Sequence, residues 1–171
     1  CDNGYMFVGC HSHASPLNLE SAVMNSCNSY FCQAFRRTLE NPKYKSVAEA
    51  YDKWKSYLSQ FGFGSTLGTD FVNELSGFIP ARTFYDRSLK TKNWKALNII
   101  SLAIGQGEIE TTPLQMANMT AAIANRGYYF TPHIVKSIGN DKSIDKKFLS
   151  KQVINIDSAN FESVILGMEE A

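Results

Sequence analysis

The sequence predicts a mainly α-helical chain with only short extended segments, and three observations carry that prediction. Ser46-Val-Ala-Glu49 and Thr112-Pro-Leu-Gln115 both have the form of a capping box, in which a hydroxyl and a longer polar side chain satisfy orphan amides at a helix start. Between Asn28 and Leu39 the apolar residues Tyr30, Phe31, Ala34 and Phe35 recur at helical spacing. The glycines Gly62, Gly64 and Gly68 crowd into one turn-rich stretch from Phe61 to Pro80.

Taken in order, the chain is polar and irregular up to Pro16, with a short extended piece at Tyr5 to Val8. Asn18 can cap a helix that runs to about Asn25, and a second helix follows from Asn28 to Leu39. Ser46 opens a helix through Ala50, Tyr51, Trp54 and Leu58 that ends before Gly62. Thr112, with proline at the first helical position, opens another through Met116, Met119, Ala122 and Ile123 that stops at Gly127. Phe130 to Ile138 reads as extended and Asn140 to Lys147 as a polar turn, before Asp157 or Ser158 caps a last helix through Phe161 and Ile165. Tyr30, Phe31, Phe35, Trp54, Leu58, Met119 and Ile123 are expected to be buried together.

With 171 residues and an apolar fraction of 44%, the chain is a globular domain or a piece of a larger one. Its 17 basic and 16 acidic residues contain no run of like charge, which argues against nucleic acid or an anionic membrane surface as partner. No apolar stretch approaches the roughly 18 residues needed to span a bilayer, and the start is unlike a signal peptide, so any anchor is expected outside this chain. The opening on Cys1 and the close on Gly167-Met-Glu-Glu-Ala171 read as the ends of an excised fragment. All four cysteines, at positions 1, 10, 27 and 32, fall near the start, which suggests one local site rather than a whole-domain disulfide framework.

The triplet Ser26-Cys27-Asn28 poses a geometric question. On a continuous helix Ser26 and Asn28 would point about 200° apart, since each residue advances roughly 100°. If the helix breaks there and the backbone extends, residues i and i+2 share a side and Cys27 faces away. A purely structural account has Ser26 capping a helix at a kink and Asn28 beginning the next.

Several segments together resemble the class B penicillin-binding proteins, the D,D-transpeptidases that cross-link peptidoglycan. They are Leu17 to Phe31, Phe61-Gly-Phe-Gly64, Gly68-Thr-Asp70 with Glu74, Gly77 and Pro80, Ile104-Gly-Gln-Gly-Glu108, Thr112-Pro-Leu-Gln-Met-Ala117, and Ala124-Asn-Arg-Gly127 followed by Pro132. The resemblance implies the helical part of the penicillin-recognising serine transpeptidase (β-lactamase-like) fold, with the family's five-stranded sheet largely outside this segment. The family works with Ser-x-x-Lys, which supplies the acylated serine and its lysine base, then Ser-x-Asn, then Lys-Thr-Gly. Only the middle motif stands here, so residues 1–171 are expected to lie between the first and the third. Ser143-Ile-Asp-Lys146 fits the first by letter, but it follows Ser-x-Asn and sits in a polar turn; Lys90-Thr-Lys92 is not Lys-Thr-Gly.

By that resemblance Ser26 contacts the missing lysine and relays a proton, and Asn28 holds the substrate's peptide carbonyl. The parent is expected to act on peptidoglycan stem peptides, to bind β-lactams through an acyl-serine intermediate, to work with a glycosyltransferase of the elongation machinery, and to face the periplasm from an inner-membrane anchor. A non-enzymatic β-lactam sensor and a zinc-stabilised structural module are the other classes considered.

Cys1, Cys10, His13 and Cys27 make a Cys3His set suited to tetrahedral zinc, the first three of them in a loop spanning residues 1–17. Elongation-type members of the family look similar here, and His13 and Cys27 match two of their zinc ligands; Asp2 and His11 are substitutes. A Cys1–Cys10 disulfide is the rival, and a buried unliganded Cys27 the third reading. Cys32 is expected in the core and His133 in a structural or surface role. A dinucleotide loop at Gly62 to Gly68 lacks a preceding strand, and a cysteine protease built on Cys27 and His13 lacks a third orienting group.

Overall fold

A computed structural model describes residues 8–15, 18–139 and 144–171. The helices are α1 (Leu19–Met24), α2 (Asn28–Leu39), α3 (Val47–Gln60), α4 (Arg82–Ser88), α5 (Pro113–Ala124) and α6 (Glu162–Glu169). Ala96–Ile104, Lys146–Leu149 and Ser158–Phe161 wind as 3-10 helix. The strands β1 (Tyr128–Phe130) and β2 (Lys151–Val153) pair antiparallel, Tyr129 opposite Gln152. The expected mainly helical class with short extended pieces is what forms.

The caps sit where the side chains dictate. Asn18 Oδ1 accepts from Ser21 N–H at 2.9 Å, Ser46 Oγ accepts from Glu49 N–H at 3.2 Å, and Thr112 Oγ1 accepts from Gln115 N–H at 3.1 Å. The Glu49 carboxylate accepts from the Lys45 amide rather than that of Ser46. Asp157 caps the 3-10 turn that leads into α6. Of the stretch expected to be extended from Phe130 to Ile138, only Phe130 lies in a strand, as the last residue of β1, because β2 offers three residues to pair with.

The chain divides into two compact units. The first comprises Cys1–Ser56, Ile79–Ile109 and Ser163–Ala171. Its core centres on Tyr51, Tyr85 and Trp94, with ring centroids 5.4 to 5.8 Å apart, beside Leu39, Ile99, Ile100 and Leu102. Each polar tip finds a partner: Tyr51 O–H donates to Pro80 O, Tyr85 O–H to Glu108, and Trp94 Nε1–H to Asp86. Burial raises both phenols, Tyr51 to about 12, so both stay donors. α2 packs along Ala96–Ile104.

The second unit comprises Tyr57–Phe78 and Glu110–Glu162. Gln115, 1% exposed, donates from Nε2 to the carbonyls of Gly62, Ser65 and Ser76, each at 2.9 Å. The Glu74 carboxylate gathers the amides of Leu67, Gly68 and Thr69, and Asp70 accepts from Ile134 and Val135 N–H. Amides that could have cradled a phosphate thus serve an internal carboxylate, which disposes of the dinucleotide reading.

The expected single core is corrected on this division. Tyr30, Phe31, Phe35 and Trp54 belong to the first unit, and Leu58, Met119 and Ile123 to the second. Only Phe35 among them is fully buried, because the large side chains of α3, α4 and Trp94 take the central positions.

Candidate active-site triplet and metal centre

α1 ends at Asn25, where a left-handed residue reverses the chain. Ser26 N–H donates to Val23 O at 2.9 Å and Cys27 N–H to Ala22 O at 3.0 Å, the paired bonds of a Schellman motif. The left-handed position belongs to Ser26, with φ of 45°, where glycine is the usual occupant. A side chain there costs about 1–2 kcal/mol, and the flanking helices hold it in place.

Cys27 follows with extended backbone and caps α2 through its sulfur, which accepts from Tyr30 N–H at 3.4 Å. The break is therefore real, but its turning residue is left-handed rather than extended, and the cap is Cys27 rather than Ser26. Asn28 opens α2, as the structural account had it. Ser26 is exposed, Cys27 is 2% exposed and Asn28 is half-buried. Asn28 Nδ2–H donates to Gly9 O at 2.7 Å.

Behind the triplet, Cys10, His13 and Cys27 bring one donor atom each within 4.8 Å of one another. Cys10 Sγ shares a hydrogen bond with His13 Nε2 at 3.0 Å and lies 4.0 Å from Cys27 Sγ. His13 Nδ1 is committed to Ala14 O at 2.6 Å, which turns Nε2 toward the thiols. The hydrogen bond from His13, helped by the backbone amides of Ser29 and Asn28 at the start of α2, pulls the Cys10 thiol down to about 7. The Ala14 carbonyl, then Cys10, raises His13.

Two sulfurs and an imidazole with its second nitrogen fixed are a fitting donor set for zinc. His11 is outside this set, its ring centroid 5.0 Å from that of His13. Cys1 and Asp2 lie outside the described residues, as does Ser143. Cys32, 3% exposed, packs in the core of the first unit, as expected. His133 stacks on Phe148 at 4.6 Å, a structural contact.

Comparison with known proteins matches residues 4–170 to the penicillin binding protein transpeptidase domain. The peptidoglycan D,D-transpeptidase MrdA of Acinetobacter baumannii is 34% identical over 121 residues, covering 71% of this chain and 16% of that protein. The crystal structure of Pseudomonas aeruginosa PBP2 in complex with WCK 5153 aligns with a TM-score of 0.67 at 31% identity, over 90% of this chain and 31% of that one. Helicobacter pylori PBP2, in its complex with MreC, aligns with a TM-score of 0.63 at 25% identity, over 90% of this chain and 25% of that one. The chain thus spans about a sixth of the curated relative's length.

Proposed function

The chain belongs to the penicillin-binding protein transpeptidase domain family, and on that premise we propose that it is the middle part of a peptidoglycan D,D-transpeptidase, carrying the Ser-x-Asn motif at Ser26 and Asn28. The observation that carries the assignment is the helix break itself: it exposes Ser26, sets Asn28 at the head of α2 and sends Cys27 inward.

The reaction is acyl transfer. A serine elsewhere in the parent attacks the carbonyl between the terminal D-alanines of a stem peptide, expels one D-alanine, and passes the acyl group to an amine of a neighbouring stem. Ser26 passes a proton between the lysine base and the leaving amine, and the Asn28 carboxamide orients the substrate's peptide carbonyl. β-Lactams enter by mimicking the D-Ala-D-Ala end. The parent works from the periplasmic face of the inner membrane, with a glycosyltransferase and a scaffold of the kind seen with H. pylori PBP2 as partners. Among the described residues no helix is long and apolar enough to cross a membrane.

Zinc fits the cluster, with Cys10, His13 and Cys27 as ligands and Cys1 as the fourth. Bound there it supplies a structural cross-link and no chemistry of the reaction. One donor, Cys27, lies within the triplet and another, Cys10, adjoins Gly9, so together they hold Asn28 in register.

The test is acylation of the complete parent by a labelled penicillin. Ser26→Ala and Asn28→Ala should each slow it by at least about tenfold, the scale of one lost hydrogen bond to a reacting group. Unchanged acylation in both folded variants would remove the assignment.

A further inference from the structure

Two of the three donors in the cluster are thiols, and they stand near the roughly 3.8 Å that two thiolates keep on one tetrahedral zinc, a separation from which a disulfide is also within reach. Cys10 Sγ and Cys27 Sγ are 4.0 Å apart. A disulfide needs about 2.0 Å between sulfurs, so closure takes a shift of about 2 Å. The two cysteines divide the roles. Cys27 is fixed as the cap of α2, whereas exposed Cys10 sits in the irregular run of residues 8–15, whose backbone can take up the shift. Cys27 also lines a surface cleft with Ser29, Tyr30, Gln33 and Arg37, which gives a small reagent a route to its sulfur.

We propose that Cys10 and Cys27 form a reversible disulfide that is the redox alternative to metal in this cluster. The oxidant is a low-molecular-weight disulfide such as oxidised glutathione. The Cys10 thiolate attacks one of its sulfurs, forms a mixed disulfide and expels one glutathione thiolate. The Cys27 thiolate then attacks Cys10 Sγ, the protein S–S bond forms, and the second glutathione leaves. Two thiols are oxidised, one glutathione disulfide is reduced to two thiols, and the two protein protons pass to the departing glutathiones. His13 Nε2, 3.0 Å from Cys10 Sγ, is placed to take the first proton.

The two states exclude each other, since zinc requires both sulfurs as thiolates and the disulfide consumes both. Either state ties residue 10 to the head of α2 and so keeps Gly9 O beside Asn28. The disulfide half of this inference stands on the sulfur geometry, and the exclusion half rests on the proposed metal reading.

Mass spectrometry decides it. The chain is stripped of metal under reducing conditions, exposed to oxidised glutathione and digested with chymotrypsin, which separates all four cysteines by cutting at Tyr5, Phe7, Leu17, Leu19, Tyr30 and Phe31; no Lys or Arg precedes Arg36, so trypsin would not. The expected product is a Cys10–Cys27 cross-linked peptide, reversed by dithiothreitol, lost in Cys27→Ser and unchanged in Cys32→Ser. Preloading with zinc at about 100 times its Kd should slow cross-linking about 100-fold. A dominant Cys1–Cys10 cross-link, or a glutathione adduct on Cys10 that Cys27 never resolves, overturns the proposal. Cross-linking of Cys10 to Cys27 at the same rate with zinc present supports the disulfide and overturns the exclusion together with the metal reading.

Discussion

Asn28 donates its side-chain amide to the carbonyl of Gly9 across 2.7 Å, so the last residue of the middle motif is held by the loop that carries Cys10. The bond spans 19 residues of sequence and joins the head of α2 to an irregular segment. Loop and motif are therefore coupled, and disturbing one should be felt at the other.

Metal removal tests that coupling. In the complete parent, Cys27→Ser and His13→Ala should lower zinc content, thermal stability and penicillin acylation together. Structural zinc can supply on the order of 10 kcal/mol of apparent binding energy, against about 1 kcal/mol for a helix cap, so the loss should far exceed that of a cap. Cys32→Ser should retain zinc and cost only a packing-sized amount. Metal analysis of protein purified without added zinc would contradict this if the unmutated protein carried none.

Ser26 offers a trade between stability and activity. Ser26→Gly removes the left-handed penalty and should stabilise the chain by about 1 kcal/mol, while in the parent it deletes the hydroxyl and slows acylation. Ser26→Ala removes the same hydroxyl without relieving the backbone. Chemical denaturation of the three proteins should rank Gly above wild type and Ala no higher than wild type.

The chain by itself should form no stable adduct with a penicillin. Neither Ser-x-x-Lys in a helical setting nor Lys-Thr-Gly occurs in it, so no serine has the lysine base that acylation requires. Intact-mass measurement after incubation with a labelled penicillin checks this, and an adduct on any serine would mean that the motifs are misplaced.

Gln115→Ala should cost about 2–4 kcal/mol, because it empties a buried site and strands the carbonyls of Gly62, Ser65 and Ser76. Gln115→Glu should be as harmful, since a carboxylate cannot donate to three acceptors. Thermal unfolding of both variants provides the measurement.

Acid should loosen the second unit. Burial opposes ionisation of Glu74, but the amides of Thr69, Leu67 and Gly68 and the Thr69 hydroxyl outweigh it and hold the carboxyl below its ordinary value. For Asp70, burial is likewise outweighed by the Val135 and Ile134 amides. A depressed carboxyl contributes stability that is fully present above its unfolded value of about 4 and is lost as pH falls through the folded one. Melting temperature should fall below about pH 4, and the difference between wild type and Glu74→Gln should shrink over that range.

Much of this was legible because it is local. The caps at Asn18, Ser46, Thr112 and Asp157 depend on atoms within about five residues, and so does the break at the triplet, closed by the bonds from Ser26 and Cys27 to Val23 and Ala22. The cysteine cluster could be seen as a set of chemically compatible donors. Among the described residues Cys10, His13 and Cys27 come together, and the Ala14 carbonyl fixes the His13 ring with Nε2 toward the thiols.

What only the tertiary structure decided involves residues far apart in the chain. α4 sets Tyr85 against Tyr51 of α3, and Ala96–Ile104 packs its aliphatic side chains along α2, contacts that join residues far apart in the chain. The sequence around Gln115 does not show that its amide reaches carbonyls 39 to 53 residues away. The sequence by itself determined where α1, α2, α3 and α5 start and that the helix breaks at the triplet. The division into two units, and the Gly9 carbonyl that holds Asn28, came from chain closure, because a hydrogen bond or a buried ring has no local signature until its distant partner is in place.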